Sequence, residues 1–371
     1  EWRALLDGVD VVVNAAGALQ DGARDDLEAI HVSAVARLVE AAGPGLRIVQ
    51  ISAAGVSEVA STEFFRSKAR GDAIVQGAAD WVILRPVLVL AEDAYGGTAL
   101  LRAAAGLPWV LPQVLPGAQV QTVYLGDLAR AVEAAARGDV PSGTVADLTE
   151  AGSRSFPELV AKVRRWQGWP EPAARPRVPR VVLAGLGWGA DLLGHLGWRS
   201  PLRTTALRAL GDGVRGDPAA WERAGGAPCR SLEETLAVLP ATRQERLYAR
   251  AYWAVPLAIG VLALFWVATG MITLWDPGRA VALLTQRGVA KRLAWGAVIG
   301  GAVADSALGC AILWRAWARR AALGMVALSV LYLLGGLAVA PDLWADPLGP
   351  MLKVLPGMVL ALIVWLWVEE R

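Results

Sequence analysis

The stretch VDVVVNAAGA, residues 9–18, decides the fold of the N-terminal half of this chain. It opens with a short β-branched run that is typical of a strand buried in a parallel sheet. Two similar runs follow, LRIVQIS at residues 46–52 and WVILRPVLVL at residues 81–90, the latter broken by Pro86. Segments with helical periodicity separate these runs, at residues 28–43 and 64–78. This alternation of strand and helix predicts an α/β fold with a doubly wound parallel sheet.

The composition divides the chain into a soluble part and a membrane part. Of its 371 residues, 55% are hydrophobic, above the ~45–50% usual in soluble domains, and the excess lies after Arg250. We therefore predict a sheet domain in residues 1–165, a helical connector in residues 166–250 and a membrane domain in residues 251–371. The net charge of +2 gives no sign of nucleic-acid binding. The two cysteines lack the spacing of a disulfide framework or a metal site, so no metal is expected.

The connector mixes proline-rich and apolar sequence. GWPEPAARPRVPR, residues 168–180, is typical of a stiff linker. Residues 181–198 are apolar, but their glycines and the pair Asp191 and His195 argue against a membrane span, so we expect a buried or an interfacial helix. The remaining small helices would cover the open end of the sheet as a substrate-side subdomain.

The C-terminal part predicts a bundle of four membrane-spanning helices. Each apolar segment is close to the ~20 residues that cross a bilayer, and the segments lie at about residues 252–274, 294–314, 321–340 and 350–368. Asp305 falls near the centre of the second segment, where an acid is costly and should face the bundle interior. It is either a buried acid hydrogen-bonded to Ser329, Tyr332 or another helix, or a proton- or quinol-linked site.

Basic residues predict the orientation of this bundle. One cluster precedes the first segment and another lies between the second and third, at Arg243, Arg246, Arg250, Arg315, Arg319 and Arg320. The positive-inside rule makes that side, and the soluble part with it, cytoplasmic. A conflicting group lies on the other side, at Arg279, Arg287, Lys291 and Arg292, in a loop long enough to hold an interfacial helix.

Several motifs of the first 165 residues resemble the short-chain dehydrogenase/reductase family. They are NAAG at residues 14–17, Ser52 at a strand end, RSKARGD at residues 66–72 and LRP at residues 84–86. The resemblance is to the atypical branch that includes the Rossmann-type accessory subunit of respiratory complex I, which carries a histidine like His31. It implies binding of NAD or NADP. The cofactor contacts it implies are Asn14, Ala15, Gly17, Ser52, Lys68, Arg85 and Pro86.

The same resemblance raises a question of chemistry. In that family a serine orients the substrate oxygen, a tyrosine transfers the proton, and a lysine lowers the tyrosine pKa and holds the nicotinamide ribose. Ser52 and Lys68 match the serine and the lysine, but Phe64 stands where the tyrosine belongs. Phenylalanine cannot act as a general acid. Phe65 does not replace the tyrosine, because one residue along a helix turns a side chain by ~100°.

Structural interpretations of these residues stay open beside the functional ones. Asn14 can satisfy backbone groups at a strand end, Ser52 can be a turn residue, and Lys68 can be a solvated helix lysine. His31, on a mostly apolar helix, is a packed histidine or a catalytic one. We also expect about two βα units, each of roughly 30 residues, to precede Glu1, because the family's glycine-rich phosphate turn lies there.

The last part of the chain resembles the DoxX-like family of small membrane proteins. The matching stretches are ADSALGCAIL at residues 304–313 and PDLWADPLGPMLKVLP at residues 341–356. The joining of a dehydrogenase-like domain to such a bundle is a recurring bacterial arrangement, which implies a multi-pass protein of the bacterial inner membrane. The family is linked to respiratory and thiol-redox systems but defines no firm active site.

Two functions follow as hypotheses. The first is a membrane-anchored NAD(P)-dependent oxidoreductase that passes reducing equivalents to a carbonyl or a quinone-like acceptor. The presence of Ser52 and Lys68 favours this enzymatic function. The second is a non-catalytic nucleotide-binding subunit for assembly or regulation of a membrane redox complex, with a redox protein as partner, which Phe64 favours.

Overall fold

The computed structural model of the chain describes residues 2–22, 25–198 and 200–368. The chain forms two compact units. The first comprises residues 1–195 and 199–250, and the second comprises residues 196–198 and 251–371. The first unit has the predicted α/β class, and the second is helical.

The centre of the first unit is a parallel sheet in the strand order β1-β2-β3-β7. Strand β4 pairs with β6 in parallel, and β5 pairs with β8 in antiparallel fashion. Pro86 ends β3, as its missing N–H predicts. The strands are β1 (Val11–Asn14), β2 (Arg47–Ile51), β3 (Asp80–Pro86), β4 (Leu88–Leu90), β5 (Gln119–Val120), β6 (Thr122–Tyr124), β7 (Thr144–Leu148) and β8 (Arg154–Ser155).

Helical segments follow β1, β2, β4, β6 and β8. A π-helical turn, Ala29–Ser33, leads directly into α2. The helices that lie wholly in the first unit are α1 (Trp2–Leu5), α2 (Ala34–Ala41), α3 (Glu63–Val75), α4 (Gly96–Ala105), α5 (Leu125–Arg137), α6 (Phe156–Trp166), α7 (Arg180–His195), α8 (Thr204–Asp212), α9 (Ala219–Arg223) and α10 (Leu232–Val238).

Neighbouring residues of β2 show that the sheet is covered on both faces. Ile48 packs with Val35 of α2 and Val75 of α3. The next residue, Val49, belongs to a separate cluster with Ala131 of α5. Successive side chains of a strand point to opposite faces, so α2 and α3 lie on one side and α5 on the other. The predicted doubly wound arrangement is therefore confirmed, and it explains why the buried centres of β2 (Ile48, Val49) and β3 (residues 82–84) are apolar on both faces.

The π-helical turn approaches α3 very closely. A Cβ atom on Gly71 would stand 2.2 Å from the carbonyl oxygen of His31, a backbone atom that cannot move aside alone. Glycine at position 71 thus allows the two helical segments to touch. This contact brings His31 next to the RSKARGD motif of α3.

The predicted stiff linker is wrong for the middle of residues 168–180. That segment runs extended beside residues 109–113 and exchanges backbone hydrogen bonds with them. Ala174 N donates to the Trp109 oxygen (3.2 Å), and Gln113 N donates to the Pro176 oxygen (2.8 Å). Prolines have no backbone N–H to donate, but their carbonyl oxygens still accept, so a proline-rich segment can pair with a neighbouring extended segment. Residues 109–113 therefore hold the proline-rich segment in place.

The second unit consists of helices joined by short connections. Its core contains Leu262, Ile312, Met325 and Val364, all nearly inaccessible to solvent. Small residues allow the helices to approach, because a Cβ on Gly309 would stand 2.8 Å from a backbone nitrogen of the facing helix. The helices are α11 (Arg243–Trp275, which begins in the first unit), α12 (Pro277–Gln286), α13 (Lys291–Ala311), α14 (Arg315–Val339), a 3-10 turn (Pro341–Trp344) and α15 (Val354–Trp367).

Among the described residues, three helices are long and apolar enough to cross a membrane, namely α11, α13 and α14. The fourth predicted span, residues 350–368, is helical only over the 14 residues of α15. At 1.5 Å per residue it measures about 21 Å, short of the ~30 Å hydrocarbon thickness. Turns through residues 351–353 delay its start. The loop between the first two spans, which is long enough to hold an interfacial helix, contains a helix, α12.

Candidate functional site

The predicted site residues gather at the carboxyl edge of the parallel sheet. Asn14 ends β1, Ser52 follows β2, and α3 carries Lys68 across this edge. The amide of Asn14 donates to Gln50 Oε1 (2.7 Å). Its oxygen accepts from Ala16 N (3.2 Å), as the structural interpretation of Asn14 expects. The edge is thus built from three separate sequence motifs.

Lys68 is the buried cation of this edge. Its side chain is nearly inaccessible, so it is not a solvated helix lysine. Its Nζ donates to the Ile51 oxygen (3.3 Å) and lies 3.6 Å from the position that a Cβ on Gly17 would take. Burial lowers the pKa of Lys68, and the nearby Asp72 carboxylate opposes that shift. One carbonyl takes one of the three ammonium donors, so Lys68 can bind a further acceptor.

His31 is buried and forms a hydrogen bond through each ring nitrogen. Nε2 accepts from Ala18 N (3.2 Å), so the neutral ring carries its proton on Nδ1, which lies 2.8 Å from Ser67 Oγ. Burial and the charge of Lys68 lower the pKa of His31 to about 4. The ring is therefore neutral at neutral pH. It fixes the loop after β1 against α3, as a packed histidine would.

Ser52 and Arg85 converge on Asp72, the last residue of the RSKARGD motif, which was not predicted as a site residue. Ser52 Oγ donates to Asp72 Oδ2 (2.9 Å), and Arg85 Nη2 donates to the same oxygen (2.8 Å). Burial raises the pKa of Asp72 against these hydrogen bonds. The available signal was the spacing of four residues from Lys68, which places both side chains on one face of α3. The Ser52 hydroxyl is thus already engaged with a carboxylate.

Phe64 lies one helical turn before Lys68. The Lys68 Nζ is 5.8 Å from the centre of the Phe64 ring, within range of a cation–π contact. The His31 ring meets Phe64 edge to face at 5.9 Å. An aromatic ring therefore occupies the place beside the lysine without offering a proton.

The remaining residues expected at the cofactor have different surroundings. Ala15 and Gly17 are exposed in the loop after β1. Pro86 is buried, and its carbonyl accepts from Ala54 N (3.0 Å). Among the described residues no group of three His, Cys, Asp or Glu side chains could hold a metal ion.

A second buried charged cluster, centred on Glu150, was missed by sequence reasoning. Glu150 follows β7 and is almost fully buried. It receives both guanidinium arms of Arg154 (2.6 and 2.8 Å), the N–H and hydroxyl of Thr122 (2.8 and 2.6 Å) and the N–H of Leu232 (2.9 Å). Its partners come from β6, β8 and the start of α10. A carboxylate so fully bonded holds the unit together and has little capacity left for a ligand.

In the second unit Asp305 forms a polar pair with Tyr332. The Tyr332 hydroxyl donates to Asp305 Oδ1 (2.8 Å) between α13 and α14. A Cβ on Gly301 would stand 2.9 Å from that hydroxyl, so glycine leaves the space that it fills. Tyr332 was one of the partners expected from the sequence. Asp305 is half-buried, and Ala302 and Gly309 on the same stripe are buried.

Comparison with protein families supports the reading of the C-terminal part. Residues 263–362 match the model of the DoxX-like family. The match covers α12, α13 and α14, the end of α11 from residue 263 onward, and α15 up to residue 362, so the predicted resemblance is confirmed for this region. Comparison with curated proteins gave no significant match.

Comparison with solved structures finds similarity to enzymes solved in complex with NAD or NADP. UDP-glucuronic acid 4-epimerase from Bacillus cereus, in complex with UDP-glucuronic acid and NAD, aligns at 16% identity with a TM-score of 0.46, over 68% of this chain and 79% of that chain. WbmG from Bordetella bronchiseptica, in complex with NAD and UDP, aligns at 17% identity and 0.46, over 68% and 76%. dTDP-4-dehydrorhamnose reductase from Bacillus anthracis, in complex with NADP, aligns at 14% identity and 0.46, over 63% and 81%.

Proposed function

We propose that the first unit binds NAD or NADP at the carboxyl edge of its sheet, and that the chain is a membrane-anchored oxidoreductase that lacks tyrosine-dependent proton transfer. Ligands of parallel α/β sheets bind beyond the carboxyl ends of the strands. The residues expected at the cofactor lie along this edge: Asn14, Ala15, Gly17, Ser52, Lys68, Arg85 and Pro86. A bound nicotinamide would supply the hydride.

The observation that carries this proposal is the position of Lys68. Lys68 donates one hydrogen bond, to the Ile51 oxygen, and a buried ammonium gains from partners for its remaining donors; burial lowers its pKa. Gly17 leaves the loop after β1 without a side chain next to the Lys68 Nζ. A ribose hydroxyl placed there would accept from the ammonium. The residues at this edge therefore fit a nicotinamide nucleotide.

Replacing Lys68 tests nucleotide binding. Lys68→Met keeps the apolar stem but removes the charge, and we expect it to weaken NAD(P)H binding by the full-length protein roughly 10-fold or more, the worth of one hydrogen bond to a charged group. Binding would be measured by titration of nicotinamide fluorescence. The control is Lys162→Met on α6, whose ammonium pairs with Glu233. Equal affinity of wild type and Lys68→Met would contradict the proposal.

The acceptor we propose needs no proton from position 64. A quinone can take a hydride together with a proton from water, whereas carbonyl reduction relies on a general acid. The pair Asp305 and Tyr332 offers a carboxyl and a hydroxyl 2.8 Å apart in the DoxX-like region. These groups are suited to hydrogen-bond a quinone oxygen or to move a proton.

Variants of this pair test its role. If the pair serves quinone reduction, Asp305→Asn should lower the rate at least ~10-fold while membrane insertion is retained, because the amide keeps the shape of the acid. Tyr332→Phe should act on the same step, so the double variant should lose less than the product of the two effects. Asp276→Asn, which alters an exposed pair with Arg279, serves as control. Unchanged quinone reduction in Asp305→Asn would make the pair structural.

We further propose that the first unit faces the cytoplasm and that the protein resides in the bacterial inner membrane. The arginines in the first turns of α11 and of α14 support this orientation. Alkaline phosphatase, active only outside the cytoplasm, should be active when fused after Gly288 and inactive when fused after Trp314. The reverse pattern would invert the topology. A fusion at the C terminus then reports whether α15 crosses the bilayer.

A second candidate function is a non-catalytic subunit that binds nucleotide to assemble or regulate a membrane redox complex. Phe64 and the engagement of Ser52 with Asp72 favour this alternative. It predicts nucleotide binding without NAD(P)H oxidation by any carbonyl or quinone.

A further inference from the structure

Helix α7, Arg180–His195, has an unusual distribution of large and small side chains. The face of α7 that packs against the rest of the first unit is made mainly of small residues. Its buried positions are Leu183, Gly187, Ala190 and Gly194. The opposite face carries the larger apolar residues, all exposed: Val181, Val182, Leu186, Trp188, Leu192 and Leu193. Val181 and Trp188 are 82% and 70% accessible. A helix on a water-facing surface normally shows the reverse, with its apolar stripe inward and charges outward.

The only acidic residue of α7 does not change this picture. Asp191 lies on the flank of the helix, and Thr204 Oγ1 donates to it (2.6 Å) together with Arg203 Nε (3.2 Å). Its charge is therefore neutralised by the start of α8. The outward arc, called here the α7 apolar face, extends over the 16 residues of the helix, or about 24 Å. Contiguous exposed apolar surface of this kind marks an interaction site.

Three observations indicate that a lipid bilayer is the occupant. First, the same chain carries helices long and apolar enough to cross a membrane, which tethers the first unit near a bilayer. Second, residues 196–198 follow the end of α7 directly in the chain, and they belong to the second unit. There Arg315 N donates to the Leu196 oxygen (2.9 Å), and Trp198 Nε1 donates to the Leu313 oxygen (2.6 Å).

These last contacts lie at the junction between two candidate spans, α13 and α14. That junction carries Trp314 and Trp317, residues typical of the membrane–water interface. Residues 196–198, which follow α7 directly in the chain, therefore contact the junction between two candidate spans. Third, exposed arginines stand at the other end of α7, at Arg177 and Arg180. Arginines beside an apolar helix face favour anionic headgroups.

We propose that α7 is an interfacial helix whose apolar face inserts into the lipid headgroup and acyl boundary, so that the first unit is held on the membrane surface independently of the membrane-spanning helices. The small residues of its inner face keep the helix tight against the first unit, and the large ones enter the lipid. Such helices sit about 5–10 Å below the headgroup level.

Spin labels on the full-length protein test this placement. Cys229→Ser and Cys310→Ser remove the native thiols, and a nitroxide is attached at Trp188→Cys or Leu192→Cys. The matched control is Arg137→Cys on α5, an exposed helical position in the same unit. The protein is reconstituted into vesicles of phosphatidylcholine and phosphatidylglycerol, and collisions with oxygen and with a water-soluble nickel chelate are compared. Labels at residues 188 and 192 should collide mainly with oxygen, at about 5–10 Å depth, and the label at residue 137 mainly with nickel.

Two other outcomes would overturn the proposal. If labels at residues 188 and 192 behave like the label at residue 137, the α7 apolar face lies in water. If both reagents are excluded from residues 188 and 192, the face is covered by protein, either a second copy or another part of this chain. Because the labelled positions are exposed, misfolding is not expected, and retained NAD(P)H binding or unchanged vesicle insertion checks it.

Discussion

The full-length wild-type protein is expected to reduce carbonyl compounds ~10²–10⁴-fold more slowly than a Phe64→Tyr variant, the usual contribution of a positioned general acid. The ring of Phe64 already lies 5.8 Å from the Lys68 ammonium. A tyrosine there would place its hydroxyl in the field of a cation, which lowers a phenol pKa. The variant would thus regain the one group that the wild type lacks.

The experiment compares two classes of substrate, carbonyls and quinones, and two variants, Phe64→Tyr and Phe65→Tyr. NAD(P)H oxidation would be followed with a panel of carbonyls and with quinones, since quinone reduction should not respond to the new hydroxyl. Phe65→Tyr is the matched control, because it adds the same hydroxyl on a side chain turned away by ~100°. Rapid carbonyl reduction by the wild type would contradict the prediction, as another residue would then have to supply the proton.

The engagement of Ser52 sets an upper limit on this gain. Its hydroxyl donates to Asp72, so it is not poised to donate to a substrate oxygen. Asp72→Asn in the Phe64→Tyr background would weaken that hold without removing bulk. If a further rise in carbonyl reduction follows, Ser52 keeps a latent substrate role. If none follows, the serine is a structural partner of Asp72 and Arg85.

The order of strands and helices in the first unit could be predicted because it is a local property. The valine run at residues 11–13 forms β1 together with Asn14, and Pro86 ends β3 because proline lacks the N–H that a ladder needs. Burial of alternate residues on opposite faces then follows from strand geometry. The membrane segments were equally local, except the fourth, where turns after Gly349 shorten the helix.

The polar clusters could not be predicted because they join distant segments. Ser52, Asp72 and Arg85 come from the ends of two strands and the last turn of a helix, and no spacing rule links them. The prediction of a stiff linker at residues 168–180 was wrong for the same reason, since the partner of this segment, residues 109–113, lies far back in the chain. Position 64 is the opposite case. There one residue within a local motif shows from the sequence alone that the proton-transferring tyrosine is replaced by phenylalanine.

Glu150→Gln is expected to destabilise the first unit by about 3–5 kcal/mol, the usual cost of breaking a buried ion pair by removing one charge. The glutamine amide would face Arg154 and the Leu232 N–H, which are donors, with an NH₂ group that is itself a donor. Arg154 would be left charged and buried. Hydrogen exchange of the full-length protein in detergent should then accelerate by about 10²–10³-fold or more in β6 and α10. The exposed pair of Glu133 with Arg137 gives the control, because Glu133→Gln should cost at most ~0.5 kcal/mol.

A paired substitution separates the charge from the other contacts of Glu150. Replacing both Glu150 and Arg154 by Leu removes the unpaired cation, so this double variant should be more stable than Glu150→Leu alone. It should not reach the wild type, because the N–H groups of Thr122 and Leu232 lose their acceptor, at about 1–3 kcal/mol each. If Glu150→Leu alone exchanged as slowly as the wild type, Glu150 would not be the bond that joins β6, β8 and α10. If the double variant were no better than Glu150→Leu, the loss would come from the backbone donors and not from the charge of Arg154.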